Sequence, residues 1–182
     1  MVSAMGEYFI KIIWFFLPAG IANMAAAISR YLPILNYPVD FNKTVGGKAI
    51  FGPHKTYRGL FFGILSAIVF VYIQSYFYQP DSSYALVNYR SSDIWLLGLL
   101  LGLGAVLGDL ARSFIKRQIG LVPGRTWFPW DQIDWIIGAI IFSYGYISLT
   151  WPVMLGAIFL AVLAHPLMNY LCYLVKLQNN KL

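Results

Sequence analysis

From Tyr8 to Ile28 the chain runs apolar with only Lys11 and Asn23 as strong interruptions, and a run of that length admits few folds. A helix rises about 1.5 Å per residue, so about 20 such residues cross the roughly 30 Å of hydrocarbon in a bilayer. Comparable runs follow at 60–78, 94–107 and 133–149, and from Val153 towards Val175. The third, at 14 residues, reaches only if it borrows the apolar side of the polar stretch behind it. Composition agrees: 59% of residues are hydrophobic and 11% charged, with a mean hydropathy of +0.66, outside the range of soluble domains. The sequence predicts an all-α integral membrane protein with about five transmembrane helices, residues 1–182 forming one membrane-embedded domain. His165-Pro166 should kink the fifth span. Ala25-Ala26-Ala27 has the look of a signal-peptidase site, but Glu7 ahead of the run, with Lys11 the only cation there, argues against cleavage. A lone Cys172 excludes an internal disulfide.

The net charge of +6 would suggest a nucleic-acid partner in a soluble domain. Here the cations gather in the polar segments between apolar runs, which points to membrane orientation and anionic ligands, not nucleic acid. Five Lys and Arg lie in 30–58 and four in 110–132, with Lys176 and Lys181 at the tail, against Lys11 and Arg90 elsewhere. With five spans, the eleven fall on one side. The positive-inside rule makes that side cytoplasmic, places the N-terminus outside and the C-terminus inside, and locates the protein in the cell membrane as a multi-pass protein. Two cytoplasmic loops, about 30–58 and 110–132, would then share a site facing both cytosol and inner leaflet.

The stretch Gly108–Asp134, GDLARSFIKRQIGLVPGRTWFPWDQID, holds three of the seven carboxylates. Continued as a helix, it puts Asp109, Arg112, Ser113, Lys116 and Arg117 on one face and Leu110, Phe114 and Ile115 on the other. Beyond the Pro123-Gly124 break, Asp131 and Asp134 share a face of the next helix. Carboxylates at span ends are costly unless paired, hydrated or metal-bound, and magnesium takes one or two carboxylates together with waters and substrate phosphates. The structural alternative makes Asp131 a helix N-cap, with Asp134 in the first turn and Asp109 paired to Arg112. Arg112, Lys116 and Arg117 either clamp phosphates or snorkel to lipid headgroups. Upstream, GPHKTYRG sets Lys55 and Arg58 around Thr56 between Gly52 and Gly59, where backbone amides can approach an anion. It lacks the Walker spacing. His54 and His165 have no metal-ligand spacing, and Trp127 and Trp130 suit interfacial anchoring.

GPHKTYRG, GDLARSFIKRQIG and PGRTWFPWDQID together resemble the archaeal CDP-archaeol synthases, themselves distantly similar to the CDP-diacylglycerol synthases. The signature of that wider group is similar to Ser113, Lys116-Arg117, Pro123-Gly124 and Asp131-Gln132-Ile133-Asp134 here. Gln132 stands where the diacylglycerol enzymes carry Arg, and their Lys-Asp and His-Gly-Gly elements are missing, which favours the archaeal branch. The resemblance implies magnesium-dependent transfer of CMP from CTP to an isoprenoid glycerol-ether lipid phosphate, releasing pyrophosphate. It implies that Asp109, Asp131 and Asp134 hold Mg2+ and that Lys116, Arg117, Lys55, Arg58 and Arg112 meet phosphates. Ser113 and Thr56 would then contact substrate, and Asp40 and Asn42 the cytosine or ribose. The isoprenoid chains would lie in a groove between spans.

Two other readings use the same residues. A CDP-alcohol phosphotransferase also works at membranes with carboxylates and magnesium, but Gly108 precedes Asp109 where that motif has glycine following, and the interval to Arg112 is too short. A small transporter would want acids near the membrane midplane and inverted repeats; the acids here sit at span ends.

Overall fold

The computed structural model describes residues 4–122 and 124–174, with backbone alone for 165–174. Pro123, the side chains of His165, Pro166 and Cys172, and the tail cations Lys176 and Lys181 lie outside the described residues. Five α-helices are seen among the described residues: α1 (Ala4–Ile28), α2 (Tyr57–Phe77), α3 (Ile94–Gln118), α4 (Trp130–Tyr144) and α5 (Trp151–Leu174). Three of them, α1 to α3, are long and apolar enough to cross a membrane. The third span does borrow the polar stretch: α3 runs 25 residues, straight through the cationic stripe.

Helix α3 is central because two pairs of glycines four apart lie on different faces of it. A Cβ at Gly98 would fall 2.7 Å from the Cα of Ile68, and one at Gly102 3.0 Å from that of Ile64, so this face takes the backbone of α2. On another face, a Cβ at Gly104 would lie 2.5 Å from the carbonyl oxygen of Gly138, and one at Gly108 2.2 Å from that of Asp134. Small residues at this spacing let helices meet backbone to backbone where apolar surroundings supply little hydrophobic drive. The α3–α4 seam therefore sets the separation of Asp109, which follows Gly108, from Asp134.

The ends of these helices are satisfied locally. Thr56 caps α2, accepting from the amide of Gly59 at 3.3 Å, and Asp93 caps α3, accepting from Trp95 and Leu96 at 3.0 Å. Gly120, at φ +83°, closes the C-terminal end of α3, where the amide of Leu121 donates to the Lys116 carbonyl. At the opposite end of the bundle the fully buried Gln74 donates to the Trp14 carbonyl and accepts from the Tyr89 hydroxyl, tying α1, α2 and the 78–93 link together. Burial holds the Tyr89 phenol neutral, its pKa raised above the ordinary value.

Residues 30–56 are irregular, as their Pro and Gly content requires, but contain one antiparallel hairpin, β1 (Thr44–Val45) and β2 (Lys48–Ala49). Its turn is Gly46-Gly47, both at positive φ. Asp40 holds the loop: its carboxylate accepts from Asn42 at 2.9 Å, Phe51 at 2.9 Å and Gly52 at 3.1 Å. Burial pushes the Asp40 pKa up, yet the amides together outweigh it and leave the carboxyl below its ordinary value.

Candidate active site

The three acids meet around one guanidinium. Arg112 donates from Nη2 to Asp109 at 2.5 Å, from Nη1 to Asp131 at 2.5 Å, and from Nε to Asp134. A second cation reaches each outer acid: Lys55 meets Asp109 at 2.5 Å, and Lys116 meets Asp131 at 3.0 Å while also donating to the Arg125 carbonyl. Three carboxylates thus face three cations, and formal charge cancels. The backbone amides of Trp127 and Trp135 donate to Asp131 and Asp134 at 2.6 and 2.7 Å. The side chain of Asp134 is only 6% exposed, where a lone carboxylate would be costly.

Asp131 is not an N-cap. Pro129 holds that position, and the Asp131 carboxylate reaches back to the Trp127 amide. Asp109 does pair with Arg112, but Arg112 is shared among all three acids. No group of three or more His, Cys, Asp or Glu is arranged to hold a metal ion among the described residues, because the oxygens turn towards Arg112. In donor chemistry the set nevertheless suits a hard divalent cation, which takes anionic oxygen; all three acids lie within reach of one guanidinium. Arg112 and a metal would share those oxygens.

Two polar cavities and one apolar groove adjoin this cluster. A cavity of about 290 Å³ is lined by Lys55, Arg112, Ser113, Lys116, Arg117 and Asp131, with Gly52–His54 and Gly124–Thr126 closing it. The buried Nε of Arg117 has no hydrogen-bond partner there, and the Ser113 hydroxyl has none among the described residues. The Ser113 hydroxyl is thus a donor available to an anion, and Arg117 keeps an unspent donor behind the cavity wall. A second cavity, about 160 Å³, lies between α1, α2 and α3, with Lys55, Thr56 and Asp109 in its wall. The groove, about 460 Å³, runs between α1, α4 and α5; its lining is apolar apart from Asn23 and the indole N–H of Trp135, the residue after Asp134.

The expected site residues divide accordingly. Asp109, Asp131, Asp134, Lys55, Thr56, Arg112, Ser113, Lys116 and Arg117 come together around the two polar cavities. Arg58 does not: it is buried, and its Nη1 donates to the Leu32 carbonyl, pinning the loop to α2. Asp40 and Asn42, expected at cytosine or ribose, line neither cavity; both Asp40 oxygens are occupied by loop amides. Residue type alone did not tell an arginine aimed at a phosphate from one aimed at a carbonyl. Arg125 and Thr126 also line the larger cavity, and their sequence signal is a cation and a hydroxyl directly after Pro123-Gly124.

A neutralised charge cluster inside an apolar bundle, lining polar cavities and one residue, Trp135, away from a lipid-sized groove, marks the class of intramembrane enzymes that act where a soluble anion meets a lipid. The comparisons name the family. The CarS-like CDP-archaeol synthase family model matches residues 5–181. CDP-archaeol synthases of Methanopyrus kandleri and Methanoculleus marisnigri are 34% and 32% identical, covering 92% and 87% of this chain and 90% and 95% of theirs. A solved structure, of an intramembrane enzyme for archaeal membrane lipid biosynthesis, is 27% identical with a TM-score of 0.71 over 86% of this chain and 91% of its own. The chain belongs to the CDP-archaeol synthase family.

Proposed function

We propose that this protein transfers CMP from CTP to an archaeal ether-lipid phosphate at the Asp109–Arg112–Asp131–Asp134 cluster, all of 1–182 serving as one catalytic unit. The observation carrying this is the junction itself: the acids and cations stand between a polar cavity of nucleotide scale and an apolar groove. CTP places its triphosphate in the 290 Å³ cavity, against Lys116, Arg117 and Ser113. The isoprenoid chains lie along the groove of α1, α4 and α5, beneath Trp135.

A lipid phosphate oxygen forms a bond to the α-phosphorus of CTP while the bond from that phosphorus to the β-phosphate oxygen breaks. The electron pair leaves with pyrophosphate. A phosphate monoester is already ionised at neutral pH, so no base has to remove a proton, and what remains is positioning and charge neutralisation. Lys55, Lys116 and Arg117 supply cationic donors, and the acids fix those donors in place. Asp109, Asp131 and Asp134 would hold Mg2+, which when bound supplies charge neutralisation at phosphate oxygens and on the leaving pyrophosphate.

Detergent-purified protein incubated with α-labelled CTP, Mg2+ and the lipid phosphate should give a labelled lipid and unlabelled pyrophosphate. A phosphotransferase would instead consume a CDP-lipid, and a transporter would make no product. Lack of labelled lipid from active, folded protein would reject the assignment.

A further inference from the structure

Asn23 carries the one carboxamide among the described residues lining the apolar groove, and the reaction as described has no role for it. It stands in the last two turns of α1 (Ala4–Ile28), half-buried, and its carboxamide has no hydrogen-bond partner among the described residues. An amide inside an apolar helix is unfavourable without a partner. Its position suggests one. Asn23 and Ala27, one turn apart, line both the groove and the 160 Å³ cavity, which also holds Lys55, Thr56 and Asp109. Lys55 and His54 in turn line both that cavity and the 290 Å³ cavity beyond. The three spaces therefore run in series from groove to small cavity to large cavity, with Asn23 at the first junction and Lys55 at the second.

Size assigns the small cavity. At about 160 Å³ it has little more than half the volume of the 290 Å³ cavity that takes the triphosphate, so it is the smaller substrate headgroup, a glycerol phosphate, that it accommodates. Its anion-binding power comes from Lys55 and not from the start of α2, because the amides of Tyr57 and Arg58 already donate to the carbonyls of Tyr37 and Leu35 and that of Gly59 donates to Thr56. We infer that the small cavity is the seat of the lipid's glycerol phosphate, and that Asn23 hydrogen-bonds this headgroup where it leaves the groove, making it a lipid-binding residue of the enzyme. The inference rests on the lipid-phosphate reading of the reaction. It adds that the two substrates approach Lys55 from different cavities.

Asn23→Leu keeps size and suits the helix, while Asn23→Asp sets a negative charge facing the bound phosphate. In mixed micelles, Asn23→Leu should raise KM for the lipid phosphate about tenfold and Asn23→Asp more, with KM for CTP unchanged within twofold. A second readout needs no turnover: a short-chain ether-lipid phosphate, without CTP or metal, should raise the melting temperature of the wild type but not of Asn23→Leu. Lipid KM within twofold of wild type in both variants, or an equal lipid-induced shift in wild type and Asn23→Leu, would overturn the role of Asn23 while leaving the reaction standing. If the wild type itself makes no labelled lipid, the reaction fails, and the melting shift alone then decides whether Asn23 binds the headgroup.

Discussion

At the level of single residues, Arg112 decides how the site behaves. Its three nitrogens each take a different carboxylate, so it holds the acids together in the absence of any other ligand. Removing one partner from a buried ionic network costs about 3–5 kcal/mol, because the charges left behind stay desolvated; at 17% side-chain exposure the lower end applies. Arg112→Gln should therefore melt roughly 6–12 °C below wild type in chelator, at 2–4 °C per kcal/mol for a chain of this size. If the acids hold Mg2+, the variant should also gain more stability from magnesium than wild type does, because no guanidinium competes for their oxygens. Thermal unfolding against magnesium concentration measures this, and equal gains in the two proteins would put the metal elsewhere. The acids and most cations were legible in the sequence, since charge at span ends demands a purpose. What was not legible was direction. Arg58 answers a carbonyl 26 positions earlier and Asp40 an amide 11 positions later, partners that only the folded loop defines.

At the level of elements, the three long apolar helices α1 to α3 were readable because continuous apolar runs carry them, and α3 crossed the polar stretch as its amphipathic spacing indicated. The helix contacts were written in the glycines at 98, 102, 104 and 108, a small-residue signal that hydropathy passes over. The hairpin was not read from the all-α expectation: its strands are two residues each, and Gly46-Gly47, both at positive φ, suit the tight turn that joins them. The glycines give a clean test. A Cβ at Gly138 would lie 2.0 Å from the Gly104 carbonyl oxygen, whereas one at Gly145 meets nothing within 4 Å. Gly138→Ala must push α4 from α3 and separate Asp134 from Asp109; activity should fall about a hundredfold, as displacements near 1 Å do, while Gly145→Ala stays near wild type. Equal activity in both would mean that the seam does not set the site. The loop offers a pH test. The Asp40 pKa lies below its ordinary 3.8, so its contribution is complete above about pH 4 and fades as pH falls through the lowered folded value. Asp40→Ala should melt below wild type at pH 7 by the equivalent of roughly 2 kcal/mol, the scale of hydrogen bonds to a charged acceptor. That gap should narrow at pH 3. A gap that persists there would assign the effect to packing and not to charge.

For the whole molecule, the question is which way the shared site faces. The two basic loops meet in the fold: Lys55 pairs with Asp109, Lys48 donates to the Gln118 carbonyl, and Gln118 donates to Ala49 at 3.3 Å. They therefore occupy one end of the bundle, and whichever side holds one holds both. Charge selects the side, because nine Lys and Arg lie in those two segments while Lys11 and Arg90 are the cations elsewhere before the tail, and short basic loops stay cytoplasmic. The N-terminus should then face outward. Helix α4 strains a simple five-span picture: its 15 residues reach about 22 Å at 1.5 Å per residue, short of the roughly 30 Å hydrocarbon core. Its first turn carries Asp131 into the ionic cluster, so the start of α4 is fixed by the site. The orientation follows from labelling. In a Cys172→Ser background, cysteines introduced at Lys48 and Gln118 should resist a membrane-impermeant maleimide applied to intact cells and react after permeabilisation, while a cysteine at Ser82, in the link between α2 and α3, should react from outside. Both loop positions labelling from outside would invert the protein and remove the site from cytosolic CTP. Labelling of only one would contradict the contacts that join the loops, and with them the shared site.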